Sequence, residues 1–96
     1  MFENITIIGC GLIGCSILRA VSKNKISKNL NVYDKSKEVL SFLSKEKLKI
    51  NISKEISVAV KNADLIIVAA PLSAYKEILL SIKDHIKKNS ILTDTG

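Results

Sequence analysis

Asn4-Ile5-Thr6-Ile7-Ile8-Gly9-Cys10-Gly11-Leu12-Ile13-Gly14, with Asp34 twenty residues after the last of these glycines, is the stretch whose reading decides the fold. Asn4 to Ile8 is a short apolar run of strand type that stops at a glycine. Leu12 to Asn24 carries Ile13, Ile17, Leu18 and Val21 at helical spacing. A strand, a Gly-x-Gly-x-x-Gly turn and a helix in this order form the dinucleotide-binding fingerprint. Gly9 turns the chain tightly out of the strand, Gly11 lets the backbone approach a pyrophosphate, and Gly14 lets the helix pack closely on the strand. The unpaired backbone N–H groups around Cys10, Leu12 and Ile13, with the positive end of the helix dipole, then supply an anion site without a charged side chain.

At 96 residues the chain is the size of one small domain, and its composition of 47% hydrophobic and 25% charged residues is that of a globular protein. No apolar run reaches the roughly eighteen residues that a membrane span needs. Glu3 and Asn4 stand where a secretory leader would carry basic residues, so a cytoplasmic location is expected. The formal charge of +6 comes from fourteen lysines and one arginine scattered along the chain, with only Phe2, Tyr33, Phe42 and Tyr75 as aromatics. Scattered lysines without stacking rings describe a solvated surface and argue against a nucleic-acid partner. Cys10 and Cys15 are read as reduced thiols in a tight turn. His85 is the only histidine, so no metal site is expected.

Beyond the first helix, Asn24 to Asn29 reads as a polar turn, Leu30 to Tyr33 as a strand ending at Asp34, and Ser36 to Lys45 as a helix capped by Ser36. Leu48, Ile50 and Ile52 alternate with Lys49 and Asn51 as an edge strand would, and Ser53 to Asn62 follows as a short amphipathic helix. Leu65 to Ala70 is an unbroken apolar run bounded by Asp64 and Pro71, the pattern of a strand covered on both faces in the middle of a parallel sheet. A helix capped by Ser73 and running to Lys88 is expected next, burying Ile78, Leu79, Ile82 and Ile86, and Ser90 to Thr93 reads as one more strand. The alternation gives an α/β doubly wound parallel sheet of about five strands in the order 3-2-1-4-5, a Rossmann-like architecture in one domain over residues 1–96.

Ligands of such sheets bind at the carboxyl ends of the strands where the strand order reverses, here between the first and fourth strands. The glycine turn forms one wall of that crevice and Ala70 and Pro71 the other, with small residues suited to a ribose or nicotinamide. Asp34 is placed to accept hydrogen bonds from the adenosine ribose hydroxyls and to repel a 2′-phosphate, which favours NAD over NADP. Lys35 and Lys37, with Ser36, would meet a phosphate if their loop folded inward. His85 lies too far along its helix to reach the crevice, and no catalytic constellation is visible.

The stretch Gly9-Cys10-Gly11-Leu12-Ile13-Gly14-Cys15-Ser16, the Tyr33-Asp34 pair, Ala63 to Pro71, and Ile91-Leu92-Thr93-Asp94-Thr95-Gly96 together resemble the N-terminal domain of prephenate and arogenate dehydrogenases. The resemblance runs the whole length, with Cys10 and Cys15 departing mildly from the family's small or apolar residue and glycine. It implies oxidative decarboxylation of prephenate or arogenate with hydride transfer to NAD in tyrosine biosynthesis. It also implies a helical C-terminal domain that supplies substrate contacts and the homodimer interface. The family's catalytic histidine and a substrate-contacting serine follow the Thr-Asp-x-Gly segment, so neither is carried over, and the chain alone is expected to be inactive with an apolar patch exposed. The alternative from another class is a stand-alone NAD(H)-binding or sensing module without catalysis. A third reading is another dehydrogenase built on the same half, acting on imines or hydroxy acids.

Overall fold

In a computed structural model, the structure describes residues 2–9, 12–24, 27–45 and 50–94. Along the chain run β1 (Phe2–Ile8), α1 (Leu12–Asn24), β2 (Ser27–Tyr33), α2 (Lys37–Ser44), β3 (Asn51–Ile52), α3 (Ile56–Val60), β4 (Leu65–Val68), α4 (Leu72–Ile82) and β5 (Ile91–Asp94). The strands form one five-stranded sheet in the order β3-β2-β1-β4-β5, every pair parallel. This is the doubly wound α/β fold expected from the sequence.

Alternation along β1 divides the core into two layers. Ile5 and Ile7 join Leu18 and Val21 of α1, Leu30 and Val32 of β2 and Leu43 of α2 on one face. Ile8 joins Val60, Ala63, Ile66, Val68 and Ile82 on the other, against α3 and α4. Thr6 shares that second face, fully buried, and its Oγ1 donates to the Ala59 carbonyl at 2.6 Å, so the hydroxyl is satisfied where it could not be hydrated. Ile7 is paired with Val32 on one side and Ile67 on the other, the middle of the sheet in both directions.

Several boundaries differ from expectation, each for a local reason. Residues 27–29, expected in a polar turn, belong to β2 because they pair with the first residues of β1, which itself begins at Phe2. Asn29 Nδ2 donates to Asn4 Oδ1 at 3.0 Å, a polar cross-strand pair at the exposed end of the ladder. β4 stops at Val68, two residues early, and β5 runs one residue later than expected. α3 is only Ile56–Val60, since the Ser53 N–H is spent on the Val32 carbonyl at 3.0 Å and prolongs the β3–β2 pairing. Of the expected third strand, Asn51–Ile52 pair with β2 at the sheet edge, while residues 46–49 lie outside the described ones. α4 is capped by Pro71 rather than Ser73, which sits within the helix, and it ends at Ile82 instead of Lys88. Leu79 is 40% exposed and does not join Ile82 in the core. The Ser36 cap is present, its Oγ accepting the Val39 N–H at 3.3 Å.

Because α4 ends early, Lys87 falls in the connection to β5, where its Nζ pairs with Asp64 Oδ1. The second carboxylate oxygen of Asp64 accepts the N–H groups of Glu3 (3.1 Å) and Asn4 (2.9 Å), and its backbone carbonyl accepts Ile91 N–H at 2.8 Å. One residue thus ties β1, β4 and β5 together at the N-terminal end of the sheet. The Lys87 hydrogen bond, then the Asn4 N–H, hold the Asp64 carboxyl below its ordinary pKa. A depressed carboxylate pKa stabilises the fold above the unfolded value of about 3.9, and that contribution is lost as pH falls through it toward the folded value. Asp64→Asn is therefore expected to lower the urea midpoint at pH 7 and to narrow the difference between pH 7 and pH 3. An unchanged pH dependence in urea melts of the variant would remove Asp64 from this role.

Candidate functional site

The tip of β1 is where the crevice is expected. Ile8, its last residue, accepts the Ala69 N–H at 2.8 Å, and the Gly9 N–H donates to the Tyr33 carbonyl at 2.7 Å. The chain is thus tied to both neighbouring strands at the point where it must leave the sheet. Gly9 makes the exit with φ +87°, in the left-handed region that L side chains rarely adopt. A Cβ at Gly9 would lie 3.1 Å from the Ala69 carbonyl carbon and the Ala70 nitrogen, and 3.2 Å from the Ala69 oxygen. Glycine is required here twice over, by conformation and by the approach of a second backbone.

Gly9 on one side and Ala69-Ala70 on the other pack at the C-terminal ends of β1 and β4, on either side of the order reversal. Cys10 and Gly11 lie outside the described residues. Leu12, Ile13 and Gly14 form the first turn of α1, which starts immediately beyond the glycine turn as an anion-accepting helix requires. Asp34 follows β2 directly and its Oδ1 accepts the Ser36 N–H at 2.8 Å, an Asx-type turn that fixes the carboxylate beside the strand end. Pro71, exposed, launches α4, with its carbonyl accepting the Ala74 N–H at 2.9 Å. His85 is exposed in the turn after α4, away from the strand tips.

Tyr75 was not singled out by the sequence. Its hydroxyl donates to the Val68 carbonyl at 3.2 Å, so the first turns of α4 are anchored to the end of β4, next to Ala69 and Ala70. Its position four residues past Pro71 was the available signal: an aromatic on the inner face of the helix leaving the crevice wall. Among the described residues, no group of three or more His, Cys, Asp or Glu is placed to hold a metal ion, and no helix is long and apolar enough to cross a membrane.

A doubly wound sheet with a glycine exit at the order reversal, a helix starting behind it and a carboxylate after the second strand defines a pyridine-nucleotide-binding domain of the oxidoreductases. The chain belongs to the family described as NADP oxidoreductase coenzyme F420-dependent, which it matches over residues 4–96. It is 34% identical over 96 residues to cyclohexadienyl dehydrogenase of Zymomonas mobilis, covering 100% of this chain and 33% of that one. It is 28% identical over 101 residues to glycerol-3-phosphate dehydrogenase [NAD(P)+] of Wigglesworthia glossinidia brevipalpis, covering 93% and 30%. The chain therefore spans about a third of the length of these curated relatives. Among solved structures it resembles prephenate dehydrogenase from A. aeolicus in complex with hydroxyphenyl propionate and NAD+ (TM-score 0.83, 19% identity, 100% of this chain and 34% of that one). It also resembles an imine reductase from Myxococcus stipitatus in complex with NADP+ (TM-score 0.81, 20% identity, 96% and 31%). At these identities the likeness is one of fold, shared by enzymes of different substrates.

Gly9→Ala is expected to destabilise the domain by about 1–3 kcal/mol, combining the left-handed conformation with the close contact to Ala69 and Ala70. Urea unfolding measures it, and a loss below about 0.5 kcal/mol, the range of an inconsequential surface change, would contradict the packing described.

Proposed function

We propose that the chain is the NAD-binding part of a prephenate or arogenate dehydrogenase, with the dinucleotide lying across the reversal between β1 and β4. The observation that carries the reading is the left-handed exit of Gly9 against the Ala69-Ala70 backbone, at the order reversal of the sheet and three residues before the start of α1. The backbone around Cys10, Leu12 and Ile13 would face the pyrophosphate, Gly11 and Gly14 would permit its approach, and Asp34 would accept the adenosine ribose hydroxyls. Ala70 and Pro71 would bound the nicotinamide end. When bound, the nicotinamide supplies the hydride acceptor for an oxidative decarboxylation. The chain's own part is to orient that ring through backbone contacts and to anchor the wall through Tyr75 and Val68.

The 34% identity to a cyclohexadienyl dehydrogenase supports this substrate class over the other reductases that share the fold. The chemistry would be completed by a further domain like that in the longer relatives, and the apolar surface at Leu72 (77% exposed), Ile91 (53%) and Leu92 (42%) is suited to being covered by it. The same covering would carry substrate contacts and a homodimer interface.

Titration with NADH, followed by nicotinamide fluorescence, is expected to saturate. Asp34→Ala should weaken NADH by about tenfold, the equivalent of about 1.4 kcal/mol. With prephenate or arogenate and NAD, the 96-residue chain is expected to bind cofactor without turnover. Absence of saturable binding would sink the crevice as drawn, and turnover near that of a complete enzyme would sink the division of labour. A defined protein partner that responds to NADH would instead favour a sensing module.

A further inference from the structure

The link between β4 and α4 is three residues long, Ala69, Ala70 and Pro71, and a side chain closes it. Tyr75, in the first turn of α4, donates its hydroxyl to the carbonyl of Val68, the last residue of β4, at 3.2 Å. The same peptide group is held from the other direction, because the Ala69 N–H donates to the Ile8 carbonyl at the tip of β1 at 2.8 Å. The Val68-Ala69 peptide is thus bonded at both of its polar atoms, to β1 and to α4. The next peptide, Ala69-Ala70, is the one that a Cβ on Gly9 would meet at 3.1 Å. Pro71 then fixes the chain at φ −59° as it enters the helix.

The ring and the hydroxyl of Tyr75 do separate things. The half-buried ring packs against the second core layer, as Ala70 does, and a phenylalanine would keep that packing. The hydroxyl instead fixes which way the Val68-Ala69 peptide faces, and through it the peptide beside Gly9. Consecutive planar peptides are joined only through the two soft dihedrals of one residue, so orienting the first restricts the second. Resting on the dinucleotide reading above, we propose that Tyr75 is a positioning residue for the nicotinamide end of the cofactor. It acts through the Val68-Ala69 peptide on the backbone from Ala69 to Pro71. Asp34 follows β2, on the far side of β1 from β4, so a tilt of this link leaves the adenosine end in place.

The test is Tyr75→Phe in the 96-residue chain, with circular dichroism confirming that the variant is folded. Calorimetric titration compares NADH with ADP-ribose, which keeps the adenosine, both phosphates and both riboses and lacks only the nicotinamide. The variant should bind NADH about three- to tenfold more weakly, the range of one lost hydrogen bond, while ADP-ribose moves by less than about twofold. A second measurement needs no ligand: the Val68 carbonyl ¹³C and Ala69 amide resonances should shift in the variant, while those of Ile7 and Val32 in the middle of the sheet hold. A loss of packing alone would weaken both ligands together. Equal weakening of NADH and ADP-ribose, an unchanged NADH affinity, or unmoved Val68 and Ala69 resonances overturns this inference and leaves the dinucleotide reading standing. Absence of NADH binding to the parent overturns both.

Discussion

The C-terminal end of the sheet depends on how β1 ends. A central parallel strand must satisfy its backbone on both sides up to its last residue, because neither side is open to water. Here the final bonds go to different neighbours: Ile8 takes the Ala69 N–H from β4, and Gly9 gives its own N–H to Tyr33 of β2. Gly9 leaves the sheet at φ +87° against the backbone of Ala69 and Ala70. A side chain at this point would push that backbone away from the end of β1.

The opposite end of the sheet is held by different means. There Asp64 uses both carboxylate oxygens and its carbonyl to join β1, the Lys87 turn and β5. Between the two ends, two layers of aliphatic side chains on β1, β2 and β4 supply the burial. Fully burying an isoleucine contributes about 1.5–3 kcal/mol, so Ile5, Ile7 and Ile8 outweigh any polar contact at the rim. Stability therefore resides in the strand bodies and the Asp64 clamp. The strand tips at the other end are left to present backbone groups to a ligand.

This division explains which parts were legible in the sequence. The glycine spacing, the β-branched runs and their alternation with helical stripes report backbone requirements and burial, and the sheet order follows from them. Ser27 to Asn29 misled because their strand character comes from pairing with β1, which polar composition does not report. The start of α4 misled for a similar reason: Ser73 has the chemistry of a cap, but Pro71, three residues beyond the end of β4, opens the helix with its fixed φ. Asp64 binds backbone groups 60 and 61 residues away, which no local pattern marks, and Tyr75 shows in the sequence only as an aromatic four residues past Pro71. The sheet was legible in backbone terms, whereas the side chains that pin its strands and loops were not.

The reversal between β1 and β4 also separates two differently covered edges. On one side β2 leads directly into Asp34 and the two residues of β3 close the sheet. On the other side β4 gives way to β5, whose four residues are all exposed, so burial falls from the centre of the sheet to this edge. Ile91 and Leu92 alternate to opposite faces of that strand, which leaves apolar surface open above and below it. The strand order sets β4 alone between this edge and β1, so the exposed apolar edge and the glycine exit are separated by a single strand. The burial that holds the centre of the sheet therefore gives out within one strand of the point where Gly9 leaves it.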